Sequence, residues 1–317
     1  MGGGAAHTTL GAGREFDAVR TLLARWGDRA RGVGDDAATL DLSPGARLVV
    51  STDTSAEDVH FRRAWFTPEE IGWRAATSAL SDLAAMAARP VGLLLAASVP
   101  ARWRDTLAAV GDGVGEAAAA AGCPIVGGDL TGGSDLVLTV TVLGEAAHPI
   151  TRAGARPGDL LYVTGRLGGP RRALIALLDG APPEPGARER FARPHARIRE
   201  AQWLAAHGAR ALVDVSDGLL ADAGHVAAAS ACRLVLDPGA VPRLAGASLD
   251  DALTGGEEYE LFCAAPRPLD TDAFARAFGV PLTRVGEAEA AGAASPGVVL
   301  AGGARVDLPA GHDHFTR

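Results

Sequence analysis

Neither lysine nor asparagine occurs among the 317 residues, so every fixed side-chain cation is an arginine. The missing lysine removes whole mechanisms. A Walker A phosphate loop and the third strand of a protein kinase each need one, and so does a Schiff-base enzyme. Cysteine is scarce: Cys123, Cys232 and Cys263 are far apart, odd in number and form no CxxC pair. They point to buried thiols in a reducing compartment, not to a disulfide frame or a zinc site. A basic excess is lacking too. The formal charge of −8 argues against nucleic-acid binding, which needs a clustered basic face. No apolar run reaches the roughly 18 residues of a membrane span, and the opening Met1-Gly-Gly-Gly-Ala-Ala has no signal-peptide pattern. A soluble cytoplasmic protein with no membrane or nucleic-acid partner is expected.

What is present is an apolar fraction of 48%, mostly Ala, Leu and Val, in a chain longer than one average domain. Residues 1–13 are Gly/Ala-rich and expected to be flexible. Phe16, Val19, Leu22, Leu23 and Trp26 repeat at helical spacing. Strands are expected over 37–42 and 47–54, flanking Ser43-Pro44-Gly45. Thr67-Pro68-Glu69-Glu70 starts a helix to about Ala87, with a cap, a proline at the first position and a glutamate three residues after the cap. A strand over 91–99, a helix over 103–121 and strands at 125–126 and 135–144 follow, with Gly127-Gly128-Asp129 read as a loop. Gly111, Gly113 and Gly115 make a poor dinucleotide signal, because no strand leads straight into them. The Pro/Gly/Arg-rich stretch 148–158 marks the domain boundary, giving 14–147 and 148–317. Beyond it strands (160–164, 212–215, 233–236, 259–264) alternate with helices (170–178, 197–207, 217–229, 273–278), with 181–186 as a surface loop. The class is α+β, with no internal repeat.

Acidic residues recur beside glycine, serine and threonine: Gly34-Asp35-Asp36, Ser51-Thr52-Asp53, Ser81-Asp82, Gly127-Gly128-Asp129, Asp214-Val215-Ser216-Asp217-Gly218 and Gly255-Gly256-Glu257-Glu258. Each alone is equally a turn or a helix cap. Together, at strand ends, they suggest one convergent negative site. Two carboxylates about 4 Å apart repel by roughly 4 kcal/mol at an effective dielectric near 20, so such a site takes up protons or holds cations. Hard oxygen donors select magnesium or calcium. Ser51, Thr52 and Asp53 are expected to face one cation together, and the amides after Asp214 to bind an anion. Arg152 could clamp phosphate. His60, a lone histidine, is more often structural than catalytic, and His312-Asp313-His314 could pair on a metal but at a chain end is more often a solvated tail.

These motifs resemble, in order, those of the bacterial thiamine-monophosphate kinases. The resemblance includes Gly34-Asp35-Asp36-Ala37, Ser51-Thr52-Asp53-Thr54, Val59-His60-Phe61, Leu80-Ser81-Asp82-Leu83-Ala84-Ala85-Met86 and Gly127-Gly128-Asp129. It continues through residues 151–159, 214–219 and 255–261 to Asp313-His314-Phe315, nearly the whole chain. The resemblance implies two α/β domains of the aminoimidazole-ribonucleotide-synthetase-like superfamily, with the N-terminal one pairing across a homodimer. It implies ATP as co-substrate and several Mg2+ ions on Asp36, Ser51, Thr52, Asp53, Asp82, Asp129, Asp214 and Asp217. It assigns ATP contacts to Gly128, Asp129, Arg152 and Ser216, and thiamine monophosphate contacts to His60, Glu257 and His312. No general base is implied, only direct transfer of the γ-phosphoryl group to give thiamine diphosphate. The chain departs from the pattern at Ala79 or Leu80, where Asn is common, at Leu130 for Thr, at Glu258 for Asp, and at His312 for an aromatic residue. The alternatives are a purine-pathway cyclo-ligase of the same superfamily and a non-catalytic nucleotide-binding protein. A selenophosphate synthetase would want a reactive cysteine or selenocysteine and an early lysine, and a hydrogenase-maturation member a C-terminal cysteine.

Overall fold

The computed structural model describes residues 13–33, 36–292 and 296–302. Two compact units divide the chain: Met1–Leu83 with Ala88–His148, and Ala84–Ala87 with Pro149–Arg317. The Gly/Ala-rich opening through residue 12, Gly34, Asp35 and the run containing His312 lie outside the described residues. Among the described residues no helix is long and apolar enough to cross a membrane.

The first unit holds α1 (Arg14–Trp26), β1 (Arg47–Ala56), α2 (Pro68–Ala85), β2 (Arg89–Val99), α3 (Leu107–Ala120), β3 (Ile125–Gly132) and β4 (Val137–Ala146). Its sheet has the order β1-β4-β2-β3, with only β2 and β3 parallel. Thr67 and Glu70 start α2 as expected: Thr67 Oγ1 accepts from the Glu70 amide and Glu70 Oε2 from the Thr67 amide. The glycines of α3 are packing residues. A Cβ on Gly113 would lie 1.9 Å from the Glu69 carbonyl oxygen, and one on Gly72 equally close to that of Val110, so α2 and α3 cross in near backbone contact. Gly111 and Gly115 take Leu22 and Trp26 of α1.

Two expectations are corrected here. Residues 37–42 form no strand. An alternating pattern becomes a strand only where its backbone finds a partner, and β1 pairs with β4 alone among the described strands. Gly127-Gly128-Asp129 is not a loop but the middle of β3. A Cβ at Gly128 would sit 2.0 Å from the Leu95 carbonyl oxygen, so the strand pairing itself requires glycine there.

The second unit comprises β5 (Leu160–Thr164), α4 (Gly169–Leu178), α5 (Pro185–Ala192), α6 (Ile198–Ala206), β6 (Ala211–Asp214), α7 (Leu219–Ser230), β7 (Cys232–Leu236), α8 (Leu249–Thr254), β8 (Leu261–Ala265), α9 (Thr271–Phe278), β9 (Leu282–Ala290) and β10 (Gly297–Leu300). Its sheet order is β10-β7-β9-β5-β8-β6. Leu161, Val163, Val213, Phe262 and Val285 from the sheet and Leu219, Ala223 and Val226 from α7 share one buried core. The expected loop is present over 181–184, and α5 begins at its end, with Pro185 as a first-turn proline.

Candidate functional site

In the first unit, β1 sorts its polar residues by face. Ser51 and Asp53 are half-buried on one side and Thr52 is exposed on the other, because successive side chains of a strand point opposite ways. The Ser51 hydroxyl donates to Asp82 Oδ2 at 2.5 Å. Asp82 is half-buried on α2 beside the fully buried Ala79, Leu80 and Leu83. The Thr52 hydroxyl pairs with Thr141 Oγ1 at 3.0 Å instead. The expectation that Ser51, Thr52 and Asp53 turn three side chains to one cation is therefore corrected.

Asp129 is exposed on β3, in the cross-strand row of Ala96, Thr139 and Thr54, whereas Asp53 shares a row with Val140, Leu95 and Gly128. Those strands are the two edges of the sheet, about 14 Å apart at about 4.8 Å per strand. Among the described residues no three of Asp36, Asp53, Asp82 and Asp129 bring carboxylate oxygens within 4.8 Å of one another. Asp53 and Asp82 are half-buried, whereas Asp36 and Asp129 are exposed. His60 is half-buried, and its Nδ1 accepts from the Ala56 amide at 3.1 Å, which puts the proton of the neutral ring on Nε2. Glu57 anchors that turn: its Oε2 accepts from Trp103 Nε1 at 2.9 Å and Arg102 Nη2 at 2.7 Å. The sequence reading passed over Glu57, since a glutamate at a strand end usually reads as surface.

In the second unit the acidic loop is tightly built. Asp214 ends β6 at 3% exposure. Asp222, in the first turn of α7, accepts from the amides of Ser216, Asp217 and Gly218 at 3.1, 3.0 and 3.1 Å. Burial pushes the Asp222 carboxyl up to about 7, and the charges of Asp214 and Asp217 add to the rise. Asp217, Asp222 and His225 place one ligand atom each within 4.8 Å of the others. Asp222 and His225 were missed because their helical spacing reads as ordinary.

The Gly255–Tyr259 segment zips onto this loop. The Glu257 amide donates to the Ser216 carbonyl at 2.7 Å and the Tyr259 amide to that of Val215 at 2.9 Å. Both residues are left-handed, with φ of 60° and 52°. Asp214, Ser216, Asp217 and Glu257 are thereby brought together. Arg152 is not. Ser230, the last residue of α7, donates to the Arg152 carbonyl and accepts from the Gly154 and Ala155 amides. That places the exposed Arg152 at the far end of a 12-residue helix from Asp217, about 18 Å away along its axis.

Residues 34–146 match the AIR synthase related protein N-terminal domain model, and residues 156–298 the corresponding C-terminal domain model. The chain is 35% identical to the thiamine-monophosphate kinase of Halobacterium salinarum over 92% of its own length and 96% of the relative's. Identity to the Bacillus subtilis thiamine-monophosphate kinase is 33%, over 78% and 82%. Among solved structures, the thiamine-monophosphate kinase of Stenotrophomonas maltophilia superposes with a TM-score of 0.81 at 36% identity, covering 92% of this chain and 98% of that one. A structure described as AaThiL complexed with AMPPCP and TMP gives 0.76 at 29% identity, covering 95% and 96%. The hydrogenase maturation protein HypE in complex with ATP shares the fold, at 24% identity and a TM-score of 0.75. The chain belongs to the thiamine-monophosphate kinase family, within the AIR synthase related proteins.

Proposed function

We propose that this protein is a cytoplasmic, homodimeric enzyme that moves the γ-phosphoryl group of ATP onto thiamine monophosphate, giving thiamine diphosphate and ADP. The observation that carries the reading is the 2.7 Å bond between the Glu257 amide and the Ser216 carbonyl. It ties the segment assigned to thiamine monophosphate to the loop assigned to ATP, within one unit.

The donors along β1, α2 and the 214–217 loop are carboxylate and hydroxyl oxygens, which suit hard cations. Burial, with the charges of Asp214 and Asp217 adding to it, raises Asp222, and the carboxylates gathered at this loop are donors of the kind Mg2+ takes. On the family pattern, several Mg2+ ions would be held by Asp36, Ser51, Asp53, Asp82 and Asp129 in the first unit and by Asp214 and Asp217 in the second, the Thr52 side chain facing Thr141 instead. Held there, Mg2+ would supply positive charge to offset the phosphate anions, leaving this chain's residues to bind and align the two substrates.

The acceptor needs no general base. The second pKa of a phosphate monoester is about 6, so its oxygen is already ionised at neutral pH. The bond that forms joins this oxygen to the γ-phosphorus, in line with the β–γ bridging bond that breaks, and ADP leaves with that electron pair. The protein's part is to bind and align. On the family pattern Ser216, Gly128 and Asp129 take ATP and His60 and Glu257 the acceptor; Arg152, at the far end of α7 from Asp217, is not placed with them. His312 completes the acceptor set on the family pattern.

The test supplies ATP and magnesium with thiamine monophosphate, free thiamine or a purine-pathway precursor. ADP release in step with thiamine diphosphate, from the monophosphate alone, is the expected result. Asp82→Asn should lower turnover at saturating ATP by more than about 100-fold, beyond the 10–100-fold typical of outer-sphere changes. Turnover of the purine precursor, or ATP binding without any product, would overturn the assignment.

A further inference from the structure

In the second unit four charged side chains with no assigned contact to either substrate pack together, the buried Glu258, Glu260 and Arg197 and the part-buried Arg190. Glu260 is fully buried. It accepts from Arg197 Nε at 2.9 Å, Arg197 Nη2 at 2.6 Å, Arg190 Nη2 at 2.7 Å and Thr164 Oγ1 at 2.6 Å. Glu258, two residues earlier, is also buried and accepts from the Gly168 amide. Arg190 Nη2 reaches the Glu258 carbonyl as well, at 3.2 Å. A Cβ on Gly165 would lie 2.2 Å from the Glu260 carboxyl carbon, so the backbone after β5 closes directly over this acid.

The alternation of the segment gives the network a consequence outside itself. Glu258 and Glu260 point into the core, whereas Glu257 and Tyr259 are half-buried and left-handed. Non-glycine residues hold that conformation only where their surroundings over-determine it. Here the constraints are the two bonds to the Val215 and Ser216 carbonyls on one side and the guanidinium pair on the other.

We propose that Arg190, from α5, is a positioning residue of the transfer site: by clamping the Glu260 carboxylate and the Glu258 carbonyl it sets the left-handed backbone that presents Glu257 to the acceptor. The inference rests on the proposed kinase reading. Asp222 holds the Ser216 loop independently, so loss of the clamp should fall on the acceptor more than on ATP.

Arg190→Gln and Arg190→Lys are compared with wild type in the full-length protein, at a temperature where circular dichroism shows all three folded. In Arg190→Gln, amide exchange at Glu257 and Tyr259 should quicken by about tenfold or more while β9 is unchanged. The KM for thiamine monophosphate should rise on the order of tenfold, with the KM for ATP within about twofold. Arg190→Lys, which keeps the charge and a donor, should recover most of both. Should Arg190→Gln fail to fold, the near-isosteric Thr164→Val, which removes the bond to Glu260 and the acceptor of the Leu261 amide, is read by the same two measures. Unchanged exchange overturns the proposal, as does faster exchange with acceptor KM and kcat unmoved in an active enzyme. A wild-type protein inert toward thiamine monophosphate overturns the kinase reading instead, before any variant is made, and the exchange data still decide whether Arg190 holds the segment.

Discussion

Glu258 has one carboxyl oxygen on the Gly168 amide, while the other has no hydrogen-bond partner and lies 3.8 Å from Arg190. That pairing is too long to offset burial, which pushes the carboxyl up to about 8. Glu260 shows the opposite balance: burial alone would raise it, but Arg197 and Arg190 hold it at about 2. A raised carboxyl binds its proton more tightly in the folded chain than in the unfolded one. Its stabilisation is present below the ordinary value of about 4.5 and is lost as pH rises through about 8. Glu258→Gln keeps the acceptor for Gly168 and cannot ionise. The variant's Tm should therefore gain on wild type steadily between about pH 4.5 and pH 8, then hold a constant lead. Parallel Tm curves across that range would show that Glu258 is ionised in the folded protein. None of this was legible from the motif, because two adjacent glutamates after Gly-Gly look alike in sequence. Only the left-handed turn at Glu257 sends one outward and the next into the core.

At the scale of elements, the Gly-x-Gly-x-Gly run in α3 shows how a motif can carry packing where its spacing suggests a ligand. A Cβ at Gly113 would enter the Glu69 carbonyl, which is backbone and cannot swing aside. Overpacking of this kind costs about 1–3 kcal/mol or more. Gly113→Ala should lower Tm by several degrees in calorimetry, whereas Gly132→Ala, with nothing within 4 Å of its Cβ, should leave it unchanged. Equal effects would mean that the α2–α3 crossing is not tight. The helix start at Thr67 and the strand at Val91 were readable because cap chemistry and a buried apolar run are local signals. Residues 37–42 were not, since a strand needs a partner and the pairing is long-range. The same limit applied to the acidic motifs. Asp214 and Asp217 were found by type and do lie together, but the three-way face at Ser51-Thr52-Asp53 failed on strand alternation. Asp222, which holds the loop amides, carries no signal beyond an acidic residue in a first helical turn.

Among the described residues of the first unit, the outward face of β1 presents an apolar surface. The inward residues of β4, Leu138, Val140 and Val142, are fully buried, but on the outward face of its neighbour β1, Leu48 and Val50 are 49% and 56% exposed. Thr52 and Thr54 extend this face, paired to Thr141 and Thr139 of β4. A second copy of the same unit is the occupant implied by the family resemblance. A two-fold interface is self-complementary, so one substitution enters it twice. Val50→Glu would set two carboxylates near each other in a desolvated contact, where like charges cost several kcal/mol. In the monomer the same glutamate would sit on an exposed edge strand, which tolerates charge. Light scattering should therefore find wild type as a dimer and Val50→Glu as a monomer, with far-ultraviolet circular dichroism unchanged. A monomeric wild type, or a Val50→Glu variant still dimeric at the same concentration, would rule this face out as the contact.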